Sequence, residues 1–284
     1  MNHFPYHILD NIEKQIGTPE ILYHYCNASA LLGIIRDDTA HDTGTFWATA
    51  IEYMNDFNEY FSLRSLAKEA GTDPRLGRLH TEVRRFLDEF SDLPASSDPN
   101  QVFVICFSAN GNKLSQWRNY TEAYQGYSLG ITTDKIKELA GSSVNDPNVT
   151  GAYFGPCIYK RQDQLDALFA CAEKFNEDTE SLKLGLHLLA PFVKNSAFQE
   201  EEEWRLVVHN PNPHSYKFRP GKSTIVPYIA AQINGLKQAL KKIWLGPTPN
   251  PEIACYALRD FLIKNEMADS TEYEYCNIPY RSLI

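Results

Sequence analysis

Strand-like and helix-like segments are mixed along this chain without the regular strand–helix–strand order of a parallel sheet. Short runs rich in branched and aromatic residues, such as Ile21–Cys26 and Glu203–His209, indicate strands. Apolar residues at helical spacing predict helices between them, notably over 74–90 and 250–265. This order predicts an α+β fold with a mixed or split β-sheet and flanking helices.

A helical segment separates two strand-rich regions. Residues 162–193 carry apolar residues at helical spacing, and strands are predicted on both sides of them. We therefore expect one domain over 1–284, with a core of about 20–160 and 194–284 and an inserted helical lobe at 162–193.

The segment after the 203–209 strand gives two further expectations. Residues 210–222 contain three prolines and are predicted to form a loop. Residues 224–229 are predicted to form a strand, and a helix is predicted near 230–241.

The overall charge limits the classes of partner. The net charge is −9 and the pI is about 5.4, which disfavours sequence-independent binding to nucleic acid. Two groups of basic residues, Arg84 with Arg85 and Lys237 with Lys241 and Lys242, are interpreted as solvated helix faces, with a local basic patch as the alternative.

The cysteine pattern and the N-terminus predict a cytoplasmic protein. The six cysteines form no CxxC pair, and such free thiols are typical of a reducing compartment. The N-terminal residues do not resemble a signal peptide, and no apolar run reaches the ~20 residues that span a bilayer. We therefore expect no membrane partner.

The first candidate site residue is His24, in the strand Ile21–Cys26. Side chains alternate between the faces of a strand, so Leu22, His24 and Cys26 share one face and Tyr23 and Tyr25 the other. A histidine near the end of a sheet can point into a cleft, and the alternative is a hydrogen-bonded structural histidine. The strand alone leaves both interpretations open.

A charged group stands at the start of the strand Glu203–His209. Alternation places Glu201, Glu203 and Arg205 on one face, opposite Trp204. Charged residues are costly to bury in a strand unless they are paired. They therefore indicate either a catalytic glutamate held by Arg205 or an ion pair at the edge of the sheet.

Two shorter motifs lie between these strands. The apolar strand ending at Ser108 leads into a helix that carries Trp117 and Tyr120 on one face. These aromatic rings are expected either to pack in the core or to stack on a flat ligand. The sequence Asn55–Glu59 fits a helix N-cap.

Several common signatures are absent. The sequence has no glycine-rich dinucleotide or phosphate motif and no GxSxG nucleophile turn. Its histidines do not have metal-ligand spacing with carboxylates, so no metal site is expected.

These clusters, in this order, resemble a bacterial family described as domain of unknown function 2971, over about residues 20–250. This chain departs from the family pattern at Phe57, where proline is usual. The matching motifs are Leu22–Tyr25, Asn55-Asp56-Phe57-Asn58-Glu59, Cys106–Ser108, Trp117 with Tyr120 and Gly126, and Phe198 with Glu201, Glu203 and Arg205.

A more remote resemblance is to the ADP-ribosyltransferase fold. It implies that His24 bonds the ribose of NAD, that Tyr120 or Tyr127 stacks on nicotinamide, and that Glu203 stabilises the ribosyl cation. The resemblance implies NAD as substrate and no metal. The expected catalytic residues are Glu203, Glu201 and His24, and the expected NAD-binding residues are His24, Tyr25, Ser108, Trp117, Tyr120, Tyr127 and Arg205.

The leading functional hypothesis is therefore an NAD-dependent ADP-ribosyltransferase or NAD glycohydrolase, with a bacterial defence or toxin role. Its partners would be a nucleotide-like small molecule and a protein or nucleic-acid acceptor. One alternative is a metal-independent nuclease that uses His24, Glu203 and Arg205 around a phosphate. The other is a non-catalytic sensor or interaction module, in which Glu201, Glu203 and Arg205 form a structural ion network.

Overall fold

The computed structural model describes most of the chain, with several gaps. The described residues are 6–36, 42–54, 62–92, 102–121, 125–143, 149, 151–210, 212–221 and 223–278.

The described residues form strands and helices in mixed order, as the sequence predicts. The strands are β1 (Ile21–Cys26), β2 (Thr43–Ala50), β3 (Val102–Ser108), β4 (Tyr127–Thr132), β5 (Gly151–Pro156), β6 (Glu203–His209), β7 (Lys217–Pro220), β8 (Ile225–Asn234), β9 (Leu240–Leu245) and β10 (Glu272–Tyr275). The α-helices are α1 (Tyr6–Ile16), α2 (Ala28–Ile34), α3 (Ser62–Ala70), α4 (Thr81–Asp92), α5 (Leu114–Tyr120), α6 (Thr133–Ser143), α7 (Arg161–Lys174), α8 (Thr179–Leu189), α9 (Leu236–Ala239) and α10 (Pro251–Lys264).

The strands form one open and mostly antiparallel sheet. Its main path runs β10-β9-β4-β1-β3-β2-β8-β7, while β6 pairs with β3 and β5 pairs with β6. The pairing of β9 with β10 is parallel, and the other named pairs are antiparallel. The α+β class with flanking helices is therefore confirmed, and likeness to the ADP-ribosyltransferase fold stays a prediction.

The sheet divides at β3. Along one edge, β6 pairs with β3 from Val102 to Ser108. The other edge is shared, because β1 pairs at Ser108 while β2 pairs at Val104 and Phe103. Strands β1 and β2 therefore separate from each other beside the middle of β3.

Hydrophobic clusters cover both faces of the sheet. On β6, Trp204 and Leu206 belong to the first cluster, which includes residues of α6 and α10. Val207 belongs to the second cluster, which is built with α3, α4, α7 and α8. Alternate side chains of β6 thus enter opposite clusters, as the period of a strand requires. We call these the first-cluster face and the second-cluster face.

Two sequence-based expectations for the segment after β6 are wrong. No helix spans 230–241, because β8 continues to Asn234 and α9 comprises four residues. Ile229, Ala231 and Ile233 are buried in alternation, which is the pattern of a half-buried strand. The segment 210–222 is not entirely loop, because β7 pairs with β8 there.

Neither membrane spans nor disulfides occur in the described part of the chain. None of the described helices combines the length and the apolar character needed to cross a bilayer. All six cysteines are described, and none is in a disulfide.

Candidate functional site

The charged group predicted on β6 is a buried ion cluster. Glu203 and Arg205 lie two residues apart, so both side chains project from the second-cluster face. The carboxylate of Glu203 accepts hydrogen bonds from Arg205 Nε at 2.8 Å and from Arg205 Nη2 at 2.9 Å. This two-point pairing is the strongest geometry available to an arginine and a carboxylate.

A fourth charge, Lys194, joins Glu201 to the cluster. The Nζ of Lys194 donates to the carboxylates of both Glu201 and Glu203. Glu201 ends a 3₁₀ helix, Ser196–Glu201, and Glu202 follows with a left-handed φ of 47°. Tertiary folding, and not strand alternation, therefore brings Glu201 beside Glu203.

The cluster is buried and electrically balanced. The side chains of Lys194, Glu201, Glu203 and Arg205 are 1%, 4%, 4% and 0% exposed. Two positive and two negative charges compensate one another, which burial of ionised groups requires.

The surrounding charges keep Glu203 ionised. Burial would raise the pKa of Glu203, but Arg205 and Lys194 together lower it to about 2. Burial would likewise lower the pKa of Lys194, and the carboxylate of Glu203 instead raises it. Glu203 is thus a carboxylate at neutral pH.

Neighbouring groups hold the cluster in place from several elements. The hydroxyl of Tyr159 accepts a hydrogen bond from the backbone N–H of Glu203 at 2.9 Å. The backbone N–H of Cys157 donates to the carbonyl of Glu203 at 2.8 Å, and Arg205 Nη1 donates to the carbonyl of Pro191. The cluster therefore ties the segment after α8 to β5 and β6.

His24 lies on the opposite face of the sheet from Glu203. Tyr23 pairs with Ser108, and Ser108 pairs with Glu203, so these three side chains share the second-cluster face. His24, next to Tyr23, projects to the first-cluster face, where its ring lies 5.3 Å from that of Phe46.

The imidazole of His24 forms a hydrogen bond within the protein. Its Nδ1 lies 2.9 Å from the carbonyl oxygen of Cys106, to which it donates. Burial lowers the pKa of His24, against an opposing effect of this hydrogen bond, so the ring is neutral at pH 7. Tyr127 pairs with Cys26 and therefore lies on the same face as His24. His24 and Glu203, which were expected to contact the same NAD molecule, thus lie on different faces of the sheet.

Tyr25 and Ser108 organise the turn after β3. The Tyr25 hydroxyl donates to the carbonyl of Asn110 at 2.8 Å and accepts from the N–H of Lys113 at 3.0 Å. The Ser108 hydroxyl donates to the carbonyl of Glu201 at 2.8 Å and accepts from the N–H of Asn110 at 3.1 Å. Both hydroxyls therefore already have partners within the protein.

The two aromatic candidates on α5 have different environments. Trp117 is fully buried, its ring lies 4.7 Å from that of Tyr25, and its Nε1 donates to Asn112. Tyr120 is half-buried, and its hydroxyl lies 3.3 Å from a carboxylate oxygen of Glu201. Burial raises the pKa of Tyr120, so it is a neutral donor. Of the two, Tyr120 is the ring with an accessible surface.

The described residues fit a bound NAD molecule poorly. His24 and Tyr127 are on the first-cluster face, the hydroxyls of Tyr25 and Ser108 are engaged, and the ring of Trp117 is enclosed. We therefore derive no reaction step through NAD. In the described part of the chain, no group of His, Cys, Asp and Glu side chains is arranged to hold a metal ion.

Sequence reasoning missed one member of the cluster, Lys194, and one of its neighbours, Tyr159. Lys194 and Tyr159 were not singled out, although Lys194 follows the apolar run Leu188–Val193, which is a signal of burial. The motif Asn55–Glu59 lies outside the described residues.

The comparison with protein families confirms the resemblance to the domain of unknown function over part of the chain. Residues 116–206 match the family model described as "Protein of unknown function (DUF2971)". This segment includes Tyr120, Lys194 and the Glu201–Arg205 group, whereas the motifs at 22–25 and 106–108 lie outside it. No curated protein and no solved structure matches the chain.

Proposed function

We propose that this chain is a non-catalytic recognition module, in which the cluster of Lys194, Glu201, Glu203 and Arg205 stabilises the fold. The observation that carries the proposal is the saturation of Glu203. Its carboxylate accepts from Arg205 through both oxygens and also from Lys194, and it is 4% exposed.

A catalytic carboxylate needs a free face toward the substrate. Electrostatic stabilisation of a developing cation works when the charged group is aimed at the reacting atom across a short distance. Lys194 and Arg205 already occupy the space next to the Glu203 carboxylate. They neutralise the negative charge that would otherwise stabilise a cationic transition state. The arrangement supports a structural role for this carboxylate.

The test compares stability with NAD turnover. Purified protein and Glu203→Gln are each incubated with NAD, and NAD loss and melting temperature are measured on the same samples. We expect a lower melting temperature for Glu203→Gln and no NAD loss with either protein. NAD loss that disappears in Glu203→Gln at an unchanged melting temperature would refute the proposal.

The second candidate is an NAD-using ADP-ribosyltransferase or NAD glycohydrolase acting as a bacterial defence or toxin effector. One observation favours it: the half-buried ring of Tyr120 lies beside the Glu201 carboxylate on the same face as Glu203. A flat ring beside carboxylates suits a nicotinamide-like group. The nuclease alternative gains no such support, because His24 and Arg205 project from opposite faces.

Calorimetry with NAD tests this second candidate directly. Tyr120→Ala is compared with Tyr256→Ala, an exposed tyrosine on α10 that serves as the matched control. NAD binding that is lost in Tyr120→Ala alone would favour the enzyme. Absence of binding in the unmodified protein, or equal binding in both variants, would exclude Tyr120 as its site.

A further inference from the structure

One segment of this acidic chain contains no acidic residue. Residues 204–251 include seven Lys and Arg residues and no Asp or Glu. The net charge of the whole chain is −9, so the remaining 236 residues carry −9 − 7 = −16. Positive charge is therefore concentrated in the part of the sequence that forms β6 to β9.

Two of these cations lie beside aromatic residues on one surface of the sheet. Lys217 on β7 and Thr49 on β2 both pair with Tyr228 on β8, so the three side chains share a face. Arg219 is two residues from Lys217, and Trp47 is two residues from Thr49, so both join the same face. We call this surface the β7–β8–β2 face.

The aromatic pair on this face is accessible. The rings of Trp47 and Tyr228 have centroids 4.7 Å apart and planes inclined by 30°. Trp47 is 38% exposed, although tryptophan is usually well buried. A further flat ring can therefore extend the stack from the solvent side.

The cations on this face have no acidic partner among the described residues. Arg219 reaches across β8 and donates from Nη2 to the Thr49 hydroxyl at 3.1 Å, while its Nε is buried without a hydrogen-bond partner. By contrast, Lys237 pairs with Glu266 and Lys242 pairs with Glu274 elsewhere in the acid-free segment. The uncompensated charge at Lys217 and Arg219 favours an anionic ligand.

A groove of about 460 Å³ lies along β8 next to Lys217. Its lining includes Lys217, Gln232 and Asn234. It also includes Val208, Ile229 and Ala231 of the first hydrophobic cluster, so the groove reaches round β8 to the first-cluster face. The exposed amides of Gln232 and Asn234 offer both donors and acceptors. Gln232 and Asn234 lie on the same face of β8 as Tyr228 by alternation, so their amides can bond the edge of a base that stacks there.

We propose that the β7–β8–β2 face binds single-stranded nucleic acid, with bases stacked on Trp47 and Tyr228 and phosphates at Lys217 and Arg219. Stacking platforms flanked by cations are the general solution for binding single strands, since every base has a flat face. The acidic remainder of the chain repels a long polyanion, so only the few phosphates over this face contribute. This inference is independent of the role of the buried carboxylates.

Fluorescence anisotropy with a labelled single-stranded RNA of about ten nucleotides tests the proposal. Trp47→Ala is expected to weaken the affinity about 5- to 150-fold. Lys217→Ala and Arg219→Ala should each reduce the slope of log K against log salt by about 0.7. Lys241→Ala and Tyr256→Ala, which remove an exposed cation and an exposed ring elsewhere, should change neither quantity.

Three results would overturn the proposal. The first is no binding at low salt by a protein whose melting temperature shows that it is folded. The second is equal affinity of the unmodified protein and Trp47→Ala. The third is equally tight binding of an acidic peptide of the same charge, because this would show that the face recognises negative charge without bases.

Discussion

Replacing Glu203 with glutamine should destabilise the protein far more than any exposed carboxylate substitution. The change keeps the size of the side chain and removes its charge, leaving Lys194 and Arg205 with Glu201 as the remaining carboxylate in the cluster. Leaving a buried charge uncompensated costs about 3–5 kcal/mol. The same two cations lower the pKa of Glu203 from 4.5 to about 2, which corresponds to a free energy of the same order, about 3 kcal/mol.

Thermal unfolding measures this loss. At roughly 2–4 °C per kcal/mol for a chain of this size, a loss of 3–5 kcal/mol lowers the melting temperature by about 6–20 °C. The control is Glu202→Gln, because Glu202 is adjacent in sequence and its side chain is 50% exposed. The control should stay within about 0.5 kcal/mol of the unmodified protein.

The pH dependence gives the prediction a second signature. Because folding lowers the pKa of Glu203, its stabilising contribution is complete above about pH 4.5 and is lost as the pH falls toward 2. The stability difference between the unmodified protein and Glu203→Gln should therefore shrink over that range. A constant difference from pH 6 to pH 3 would contradict this electrostatic explanation.

A double variant separates charge balance from packing. Glu203→Gln with Lys194→Met removes one charge of each sign and leaves Arg205 with Glu201. We expect the double variant to lose less stability than the sum of the two single losses, by about 0.5–3 kcal/mol. Additive losses, or a Glu203→Gln melting temperature within 2 °C of the control, would refute the reasoning about a coupled charge cluster.

Two further substitutions test the packing around the site. Tyr159→Phe removes the acceptor of the Glu203 backbone N–H and should cost about 1–3 kcal/mol by denaturant unfolding; a smaller effect would mean that another group replaces the hydroxyl. Gly111→Ala places a methyl group 2.4 Å from the ring of Tyr23 and should also cost about 1–3 kcal/mol. Its control, Gly141→Ala on α6, meets no atom within 4 Å and should be neutral or stabilising by up to about 1 kcal/mol; equal effects at the two glycines would contradict the packing argument.

Segments with a clear period were predicted well from the sequence. The strand Glu203–His209 has the predicted bounds, because its first four residues alternate between charged and apolar and the branched residues after them also favour a strand. The helix near 230–241 was predicted wrongly, since alanine, glutamine and leucine favour helices in isolation. Pairing with β2 along Thr43–Thr49 holds these residues in β8 instead. Tertiary pairing therefore outweighed local preference.

The candidate site was predicted only in part. Strand alternation correctly placed Glu203 with Arg205 on one face, because that geometry depends on neighbours along the chain. Lys194 approaches them from the segment after α8, and no local pattern specifies that contact. The burial of these charges likewise could not be predicted from the sequence, since it depends on the helices that cover the second-cluster face.

The sequence alone therefore determined the α+β class, the charge balance and the side of each strand on which a residue lies. Only the tertiary structure decided which residues from different strands lie on the same face of the sheet. The register that sets Tyr23 opposite Ser108, and Ser108 opposite Glu203, places His24 on the far face of the sheet. A shift of one residue in that register would reverse the outcome, because side chains alternate with a period of two and register is fixed by contacts distant in the chain.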